Sequence, residues 1–257
     1  MPAIHGALHA PLLHFSDYQP DQITQAQIRE YIAKRPYYGK DPTKPRPVAK
    51  STIDKELRFI RQVLRYGERE GWGVTVPAFQ AVGSNPPRER WLTRAEYDAI
   101  HAHAAPHIQL FMTVALHTAQ RKSAVLEMKW SQVDFERGII WAEGGNAIKR
   151  RTSVTMGPKL ADPLKTAHTR AKTPYVIEYK GKPVKDVKRG WTRAKERAGV
   201  KDARIHDLRR TAASWMLNNG ASFAQVAAVL GDSEEMVRKH YGKFSPGFMR
   251  AAVDLIE

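Results

Sequence analysis

The chain has 257 residues, with 42 Lys and Arg against 26 Asp and Glu, a formal net charge of +16 and no Cys. The length suits one large domain or two of ordinary size, and the positive excess favours nucleic acid over an anionic membrane surface as partner. Without Cys there is no disulfide framework, thiolate nucleophile or Cys-based zinc site. Because no membrane-length apolar run or secretory signal is evident, we expect a cytoplasmic protein with no membrane partner.

Residues 1–84 are predicted to form a small helical domain. Residues 1–20 show no clear period, so we expect a loose lead-in there. Helices are predicted over 23–35 and 51–71, and Ser51 or Thr52 is the expected cap of the second. That second helix carries one apolar stripe, formed by Ile53, Leu57, Ile60, Val63 and Leu64.

The other face of the 51–71 helix is basic. Arg58, Arg61 and Arg65 lie on or beside it at spacings of three and four. A solvated basic face and a helix that faces DNA both explain the pattern, and spacing alone does not choose between them.

A boundary follows in the stretch GSNPPRER, residues 83–90. Two prolines in a polar segment stop a helix and suit an extended connection, so residues 85–91 are predicted to be a linker. Residues 1–90 hold 14 basic and 9 acidic side chains, and the rest of the chain holds 28 and 17. Two basic lobes on a short linker suit a clamp around one polyanion.

Residues 92–257 are predicted to form a second domain, mainly helical with a small antiparallel β insertion. Thr93 and Glu96 match the capping box that starts helices. Strands enriched in β-branched residues are predicted over 137–143 and 151–156. Further helices are predicted over 107–119, 186–199, 204–220 and 222–231, and one or two apolar turns over 124–130.

The helix predicted over 204–220 begins with an unusual cluster of polar side chains. His206 and Arg209 are three residues apart and share a helix face, so both could reach one phosphate. Arg210, at the fourth position from His206, is equally close by spacing. The alternative is a helix start whose polar side chains lie in water.

Arg121 sits at the break after an apolar helix, with an apolar turn following it. A charge flanked so closely by apolar residues is expected to be partly buried and to need an anionic partner. That partner is either a ligand phosphate or a carboxylate of the chain, such as Glu127.

Two further segments offer chemistry. Lys149, Arg150 and Arg151 lie at or just past the turn of the predicted hairpin, from which a loop could project one of them into a groove. Tyr241 precedes a glycine near the end of the chain. A free tyrosine has a pKa of about 10, so it acts as a nucleophile only where surrounding cations help the phenolate to form. A solvated hairpin tip and a structural tyrosine are the ordinary alternatives.

Taken together, these segments resemble the tyrosine recombinase (phage integrase) family. The family pattern is an Arg in a T-G-x-R turn, a Lys in a β-hairpin, H-x-x-R, and L-G-H-x with a Tyr nine residues later. This chain has TAQR at 118–121, the Lys149 hairpin, HDLR at 206–209, LGDS at 230–233 and Tyr241. The resemblance covers about 90–245 and implies a helical core-binding domain plus an α+β catalytic domain.

The resemblance also implies a set of roles. Tyr241 is the nucleophile that forms a 3′-phosphotyrosyl link, and the freed 5′-hydroxyl of a partner strand later reverses the step. Arg121 and Arg209 bind the non-bridging oxygens, Lys149 is the acid for the leaving 5′-oxygen, and His206 assists proton transfer. The bond energy is kept in the covalent intermediate, so no cofactor and no metal is expected.

Three positions depart from the family pattern. Lys122-Ser123-Ala124 follow Arg121 where the family has a Glu, which changes the support of the arginine. Asp232 stands where a His or Trp usually contacts the phosphate; it either turns away, orients a cation or reduces activity. The hairpin register is open as well, because one alignment places the family lysine at Ala147 and a shorter turn places it at Lys149.

The expected partner is double-stranded DNA, bound as a tetramer on paired sites, with a monomer as the free form. The leading function is a site-specific recombinase or integrase of a phage or mobile element. A catalytically impaired or non-catalytic DNA-binding protein of the same fold and a type IB topoisomerase-like enzyme are the alternatives. The residues expected to contact DNA are Lys50, Arg58, Arg61, Arg65, Arg150, Arg151, Lys188, Arg193 and Arg210.

Overall fold

A computed structural model describes residues 2–37, 47–83, 88–142 and 152–242 of the chain. The chain divides into two compact units, residues 1–87 and 88–257. Each unit has a hydrophobic core of its own. No helix within the described ranges is long and apolar enough to cross a membrane.

The described residues of the first unit form three α-helices: α1 (Pro2–Phe15), α2 (Gln25–Lys34) and α3 (Lys50–Arg69). The prediction of a loose lead-in is wrong, because α1 occupies most of it. Ala10 and Phe15 of α1 pack with Ile28 and Tyr31 in the core of this unit. The helix was missed because it is apolar with Pro11 inside it, so it has no polar face to give a period.

Helix α3 forms where it was predicted, with two corrections. It begins at Lys50 after Ala49, which provides no side-chain cap, so neither Ser51 nor Thr52 is the cap. Val63 is 56% exposed and does not belong to the apolar stripe. The buried face is formed by Ile53, Leu57, Ile60, Leu64 and Gly67. Spacings of four, three, four and three keep these five on one side of the helix, and Val63 falls outside that series.

A buried carboxylate joins α2 and α3. Glu56 is 3% exposed and accepts hydrogen bonds from the Tyr31 hydroxyl at 2.7 Å and from Nε and Nη2 of Arg35 at 2.8 and 2.7 Å. The bidentate arginine supplies the counter-charge that a buried carboxylate requires.

The second unit is mostly helical with small antiparallel sheets, as predicted. Its helices are α4 (Arg94–Ala102), α5 (Pro106–Thr118), α6 (Lys122–Glu127), α7 (Pro158–His168), α8 (Lys188–Arg197), α9 (Asp207–Asn218), α10 (Phe223–Leu230) and α11 (Glu234–Tyr241). Its strands are β1 (Val133–Asp134), β2 (Ile139–Ala142), β3 (Thr152–Thr155), β4 (Glu178–Tyr179) and β5 (Lys182–Pro183). Five elements were not expected from the sequence: α7, α11, β1, β4 and β5.

Strands β1, β2 and β3 form one antiparallel sheet in that order, and β4 pairs with β5 in a second. In the first sheet Ile140 pairs with Val133 and Val154, and its side chain is fully buried. The predicted strands are therefore confirmed, with β1 as an added neighbour. The connection between β2 and β3 lies outside the described residues.

Helix α9 runs through the core of the second unit. His206 and Arg209 lie at its start. Leu208, Ala212, Ala213 and Leu217 are buried along it. The capping box predicted at Thr93 and Glu96 is confirmed at the start of α4, and Ser222 caps α10. Gly220 follows the end of α9 with a φ of +89°, a conformation that favours glycine.

Candidate active site

The guanidinium of Arg209 lies at the centre of the site and is almost wholly buried, with 3% exposure. Its Nη1 donates to the carbonyl oxygen of Ala119 at 2.6 Å, and its Nη2 donates to the carbonyl oxygen of Leu230 at 2.9 Å. Nη2 also donates to Oδ2 of Asp232 at 2.6 Å. The side chain is thus held in one orientation by two segments of the chain, one at Ala119 and one at residues 230–232.

Those two carbonyls belong to the ends of helices α5 and α10. Ala119 terminates α5 and Gly231 terminates α10, both in the left-handed conformation, with φ of 51° and 67°. The carbonyl groups at a helix C-terminus carry the negative end of its dipole, so two such ends stabilise the Arg209 cation. The segments TAQR and LGD therefore hold Arg209 through their backbone carbonyl groups.

Arg121 stands at the N-terminus of α6, at the break where it was predicted. Its side chain is 51% exposed, so the prediction of partial burial among apolar residues is wrong. Its anionic neighbour is Asp232, with Nη2 3.4 Å from Oδ1, and not the suggested Glu127. The apolar residues around it, Val125 and Leu126, turn into the core, and the arginine stays at the surface.

Asp232 contacts both arginines. Among the three positions that depart from the family pattern, it is the only one that the described residues place at the centre of the site. Oδ2 pairs with Arg209 and Oδ1 pairs with Arg121, while the carboxylate keeps 27% exposure. Of the alternatives raised from the sequence, turning away from the cations is therefore wrong.

His206 is the residue just before α9, on the surface beside the arginines. Partial shelter of the ring from water lowers its pKa, and the guanidinium groups of Arg210 and Arg209 lower it further. The ring is therefore neutral near pH 7 and able to accept a proton.

Arg210 pairs with a different carboxylate from the one that Arg209 contacts. It is half-buried, and its Nη1 donates to Oδ1 of Asp207 at 2.9 Å. The two adjacent arginines thus differ: Arg209 points to Asp232, while Arg210 pairs with the carboxylate at the start of α9.

Asp207 is a buried anchor that sequence reasoning missed. Its carboxylate is fully buried and accepts hydrogen bonds from Arg88 at 3.2 and 3.0 Å, from the Arg204 amide at 2.9 Å and from Arg210. The network ties residue 88 to the first turn of α9. The spacing of Asp207 and Arg210, three residues apart, could have indicated their ion pair. The contact with Arg88 could not be read from the sequence, because Arg88 is 119 residues away.

Tyr241 is the last residue of α11 and is 8% exposed. Burial raises the pKa of its hydroxyl, the positive charges of Arg209 and Arg210 oppose that rise, and Asp232 adds to it. The protonation of Tyr241 therefore depends on the charges of Arg209, Arg210 and Asp232.

The remaining predicted contacts fall in three groups. Lys149, Arg150 and Arg151 lie outside the described residues. Lys188 and Arg193 are exposed on α8, and Lys50, Arg58 and Arg65 are exposed on α3. Arg61 differs, since it donates to the carbonyl oxygen of Phe79 at 2.9 Å and lies 4.8 Å from the centre of that ring. These two contacts hold the segment around residue 79 against α3.

Within residues 2–37, 47–83, 88–142 and 152–242, no group of three or more His, Asp or Glu side chains is arranged to hold a metal ion. The charges that converge at the site are guanidinium groups and one carboxylate.

The chain is similar in sequence to known integrases and to a DNA recombinase. The family model described as Phage integrase family matches residues 90–245. The chain is 28% identical to the integrase of Salmonella phage P22 over 93% of this chain and 70% of that protein. It is 23% identical to the shufflon-specific DNA recombinase of Escherichia coli, over 86% of this chain and 58% of that protein.

Solved structures show the same fold. A lambda integrase (75–356) dimer bound to a COC′ core site superposes with a TM-score of 0.75 and 19% identity, over 91% of this chain and 88% of that one. The Tn1549 transposon integrase in complex with circular intermediate DNA gives a TM-score of 0.76 and 15% identity, over 98% and 93%.

Proposed function

The chain belongs to the phage integrase family, and we propose on that basis that it is a site-specific DNA recombinase acting through a covalent bond between Tyr241 and a DNA 3′-phosphate. The observation that carries the proposal is the convergence of Arg121 and Arg209 on one anion beside Tyr241. A phosphodiester would place its two non-bridging oxygens where those arginines meet.

The chemistry follows from the charges. The Tyr241 oxygen attacks phosphorus, the bond from phosphorus to the 5′-oxygen breaks, and a phosphotyrosyl ester forms. The neutral imidazole of His206 is suited to accept the phenol proton, and Lys149 is proposed to donate the proton that the 5′-oxygen needs. In the reverse direction a 5′-hydroxyl attacks and Tyr241 leaves, so the number of phosphoester bonds is unchanged.

Arg121 and Arg209 are proposed to stabilise the negative charge that builds on the non-bridging oxygens. Because Arg209 is already fixed by two backbone carbonyls, it need not reorganise during the reaction. Loss of a fixed donor of this kind typically costs about 10²–10³ in rate.

The first unit is proposed to grip the duplex with α3. Four basic residues and one glutamine lie on the exposed side of this helix at spacings of three and four: Lys55, Arg58, Gln62, Arg65 and Arg69. This basic stripe is opposite the buried face and holds two of the three arginines chosen from the sequence. Lys50 at the start of α3 and Lys188, Arg193 and Arg210 of the second unit are proposed as further DNA contacts.

We propose a tetramer on paired DNA sites and a monomer when free. A lambda integrase tetramer bound to a Holliday junction, with a TM-score of 0.74 to this chain, supports the arrangement. The cytoplasmic location stays a prediction.

The test is covalent trapping on a nicked duplex carrying the junction sequence found beside the gene. Wild-type protein is expected to yield a detergent-resistant DNA adduct, and Tyr241→Phe is expected to bind the same duplex without one. Binding without an adduct in wild type would favour the non-catalytic DNA-binding protein. Relaxation of arbitrary supercoiled DNA without recombination would favour the type IB topoisomerase-like enzyme.

A further inference from the structure

The two carboxylate oxygens of Asp232 are shared between two arginines from different helices. Oδ2 lies 2.6 Å from Nη2 of Arg209, and Oδ1 lies 3.4 Å from Nη2 of Arg121. The two oxygens therefore contact one cation each. That is the pattern expected of two non-bridging phosphate oxygens in the same cradle.

Burial explains why an anion is needed there. Arg209 is 3% exposed, and the carbonyls of Ala119 and Leu230 offer it only partial negative charge. A buried guanidinium without a full counter-charge is strongly destabilising. Asp232 supplies that charge from the residue directly after the end of α10.

We propose that the Asp232 carboxylate is a built-in substitute for the scissile phosphate, which occupies the arginine cradle in the free protein and is displaced when DNA binds. The inference rests on the proposed function of the site. A carboxylate and a phosphodiester each spread one negative charge over two oxygens, so one can replace the other between Arg121 and Arg209. Both cannot remain, because two anions in contact repel each other.

The exchange has a consequence for selectivity. A phosphate that binds between the arginines forms two new contacts, but the two ion pairs of Asp232 must first be broken. An isolated phosphate is therefore expected to bind weakly. Only a phosphate delivered by DNA that is already held elsewhere, for instance by the basic stripe of α3, displaces the carboxylate. Asp232 thereby prevents the cleavage of DNA that is only loosely bound.

Inorganic phosphate provides the first test, with thermal melting of the full chain as the readout. Asp232→Asn keeps the shape of the side chain and removes its charge, and Glu235→Gln removes the same charge from an exposed position on the first turn of α11. The Asp232→Asn protein is expected to melt lower than wild type in chloride and to recover in phosphate of equal ionic strength. Its phosphate-induced shift should be about twofold or more that of wild type and of Glu235→Gln.

Generic duplex DNA provides the second test. In wild type the entering phosphate displaces a carboxylate, whereas in Asp232→Asn it displaces solution anions from the cradle. Asp232→Asn is therefore expected to bind about fivefold tighter at low salt. The slope of log Kd against log salt should be steeper by about one. Asp232→Glu, which keeps the carboxylate, should behave as wild type.

The proposal is overturned if Asp232→Asn responds to phosphate no more than Glu235→Gln does, or if its DNA affinity and salt slope do not increase. A role limited to holding Arg209 would give that result, with a lower melting temperature that phosphate does not restore. Neither readout requires cleavage. A missing tyrosyl adduct in wild type would therefore count against the proposed function, and a flat phosphate response would count against the inference alone.

Discussion

The carbonyl oxygen of Ala119 accepts a 2.6 Å hydrogen bond from Arg209, and Ala119 holds a left-handed conformation with a φ of 51°. A residue with a Cβ is strained there by about 1–2 kcal/mol. The family pattern has glycine at this position of the turn. The geometry that orients the buried arginine is therefore kept here at a cost in stability.

Replacing Ala119 with glycine is expected to raise the free energy of unfolding by about 0.5–1 kcal/mol, since relief of strain outweighs the added freedom of the unfolded chain. Urea denaturation measures it. Ala115→Gly, in the interior of the same helix, should instead lower stability by about 1 kcal/mol. Equal losses in both variants would show that position 119 is unstrained.

Asp207 is expected to matter for stability through the cations that it holds. Asp207→Asn leaves Arg88 and Arg210 facing a neutral group in a fully buried position, which should cost about 3 kcal/mol in urea unfolding. Asp202→Asn is the matched control, because Asp202 also pairs with Arg88 but is 71% exposed. Its loss should cost much less than the loss of Asp207, because water screens an exposed ion pair. Comparable losses at the two positions would contradict the buried-anchor role.

The basic stripe of α3 should appear in the salt dependence of DNA binding. Arg58→Gln and Arg65→Gln are each expected to weaken binding and to lower the slope of log Kd against log salt by about one. Arg61→Gln is the control on the same helix. Because Arg61 is engaged with Phe79, its loss should reduce thermal stability and leave the slope unchanged. A slope that falls only with Arg61→Gln would place the DNA on another face.

Stability is expected to fall as the pH falls below about 6.5. Burial lowers the pKa of His101 and of His107, so the folded chain holds these rings neutral while the unfolded chain takes up protons. The unfolded state binds more protons, and the free energy of unfolding therefore decreases with acid between the unfolded pKa and the lowered folded pKa. His14, His117 and His206 act in the same direction.

Melting temperatures at about pH 7.5 and about pH 5.5 measure this dependence. The double variant His101→Gln and His107→Gln should show a smaller loss between the two values than wild type. An unchanged difference would mean that these two histidines are not protected from protonation by the fold.

Local patterns in the sequence were sufficient for much of the second unit. The capping box at Thr93 and the β-branched strands around Ile140 and Val154 depend on neighbours within a few residues. The start of α9 likewise places His206 and Arg209 close together without help from distant contacts. Spacing alone could predict these features because the chemistry that creates them is local.

Long-range contacts explain what the sequence did not reveal. The burial of Asp207 depends on Arg88, and the position of Asp232 between two arginines depends on the ends of α5 and α10. Arg121 was expected among apolar neighbours, yet those neighbours turn inward and leave it at the surface. Helix α1 lacks a polar face, so only its packing against the core of the first unit distinguishes it from a loop.

Mass spectrometry of the peptide that carries the trapped DNA adduct tests most directly whether Tyr241 is the nucleophile. After nuclease digestion, we expect a nucleotide 3′-phosphate attached to the hydroxyl of Tyr241, absent in Tyr241→Phe although that protein still binds the duplex. An adduct on any other residue, or strand cleavage that persists in Tyr241→Phe, would contradict it.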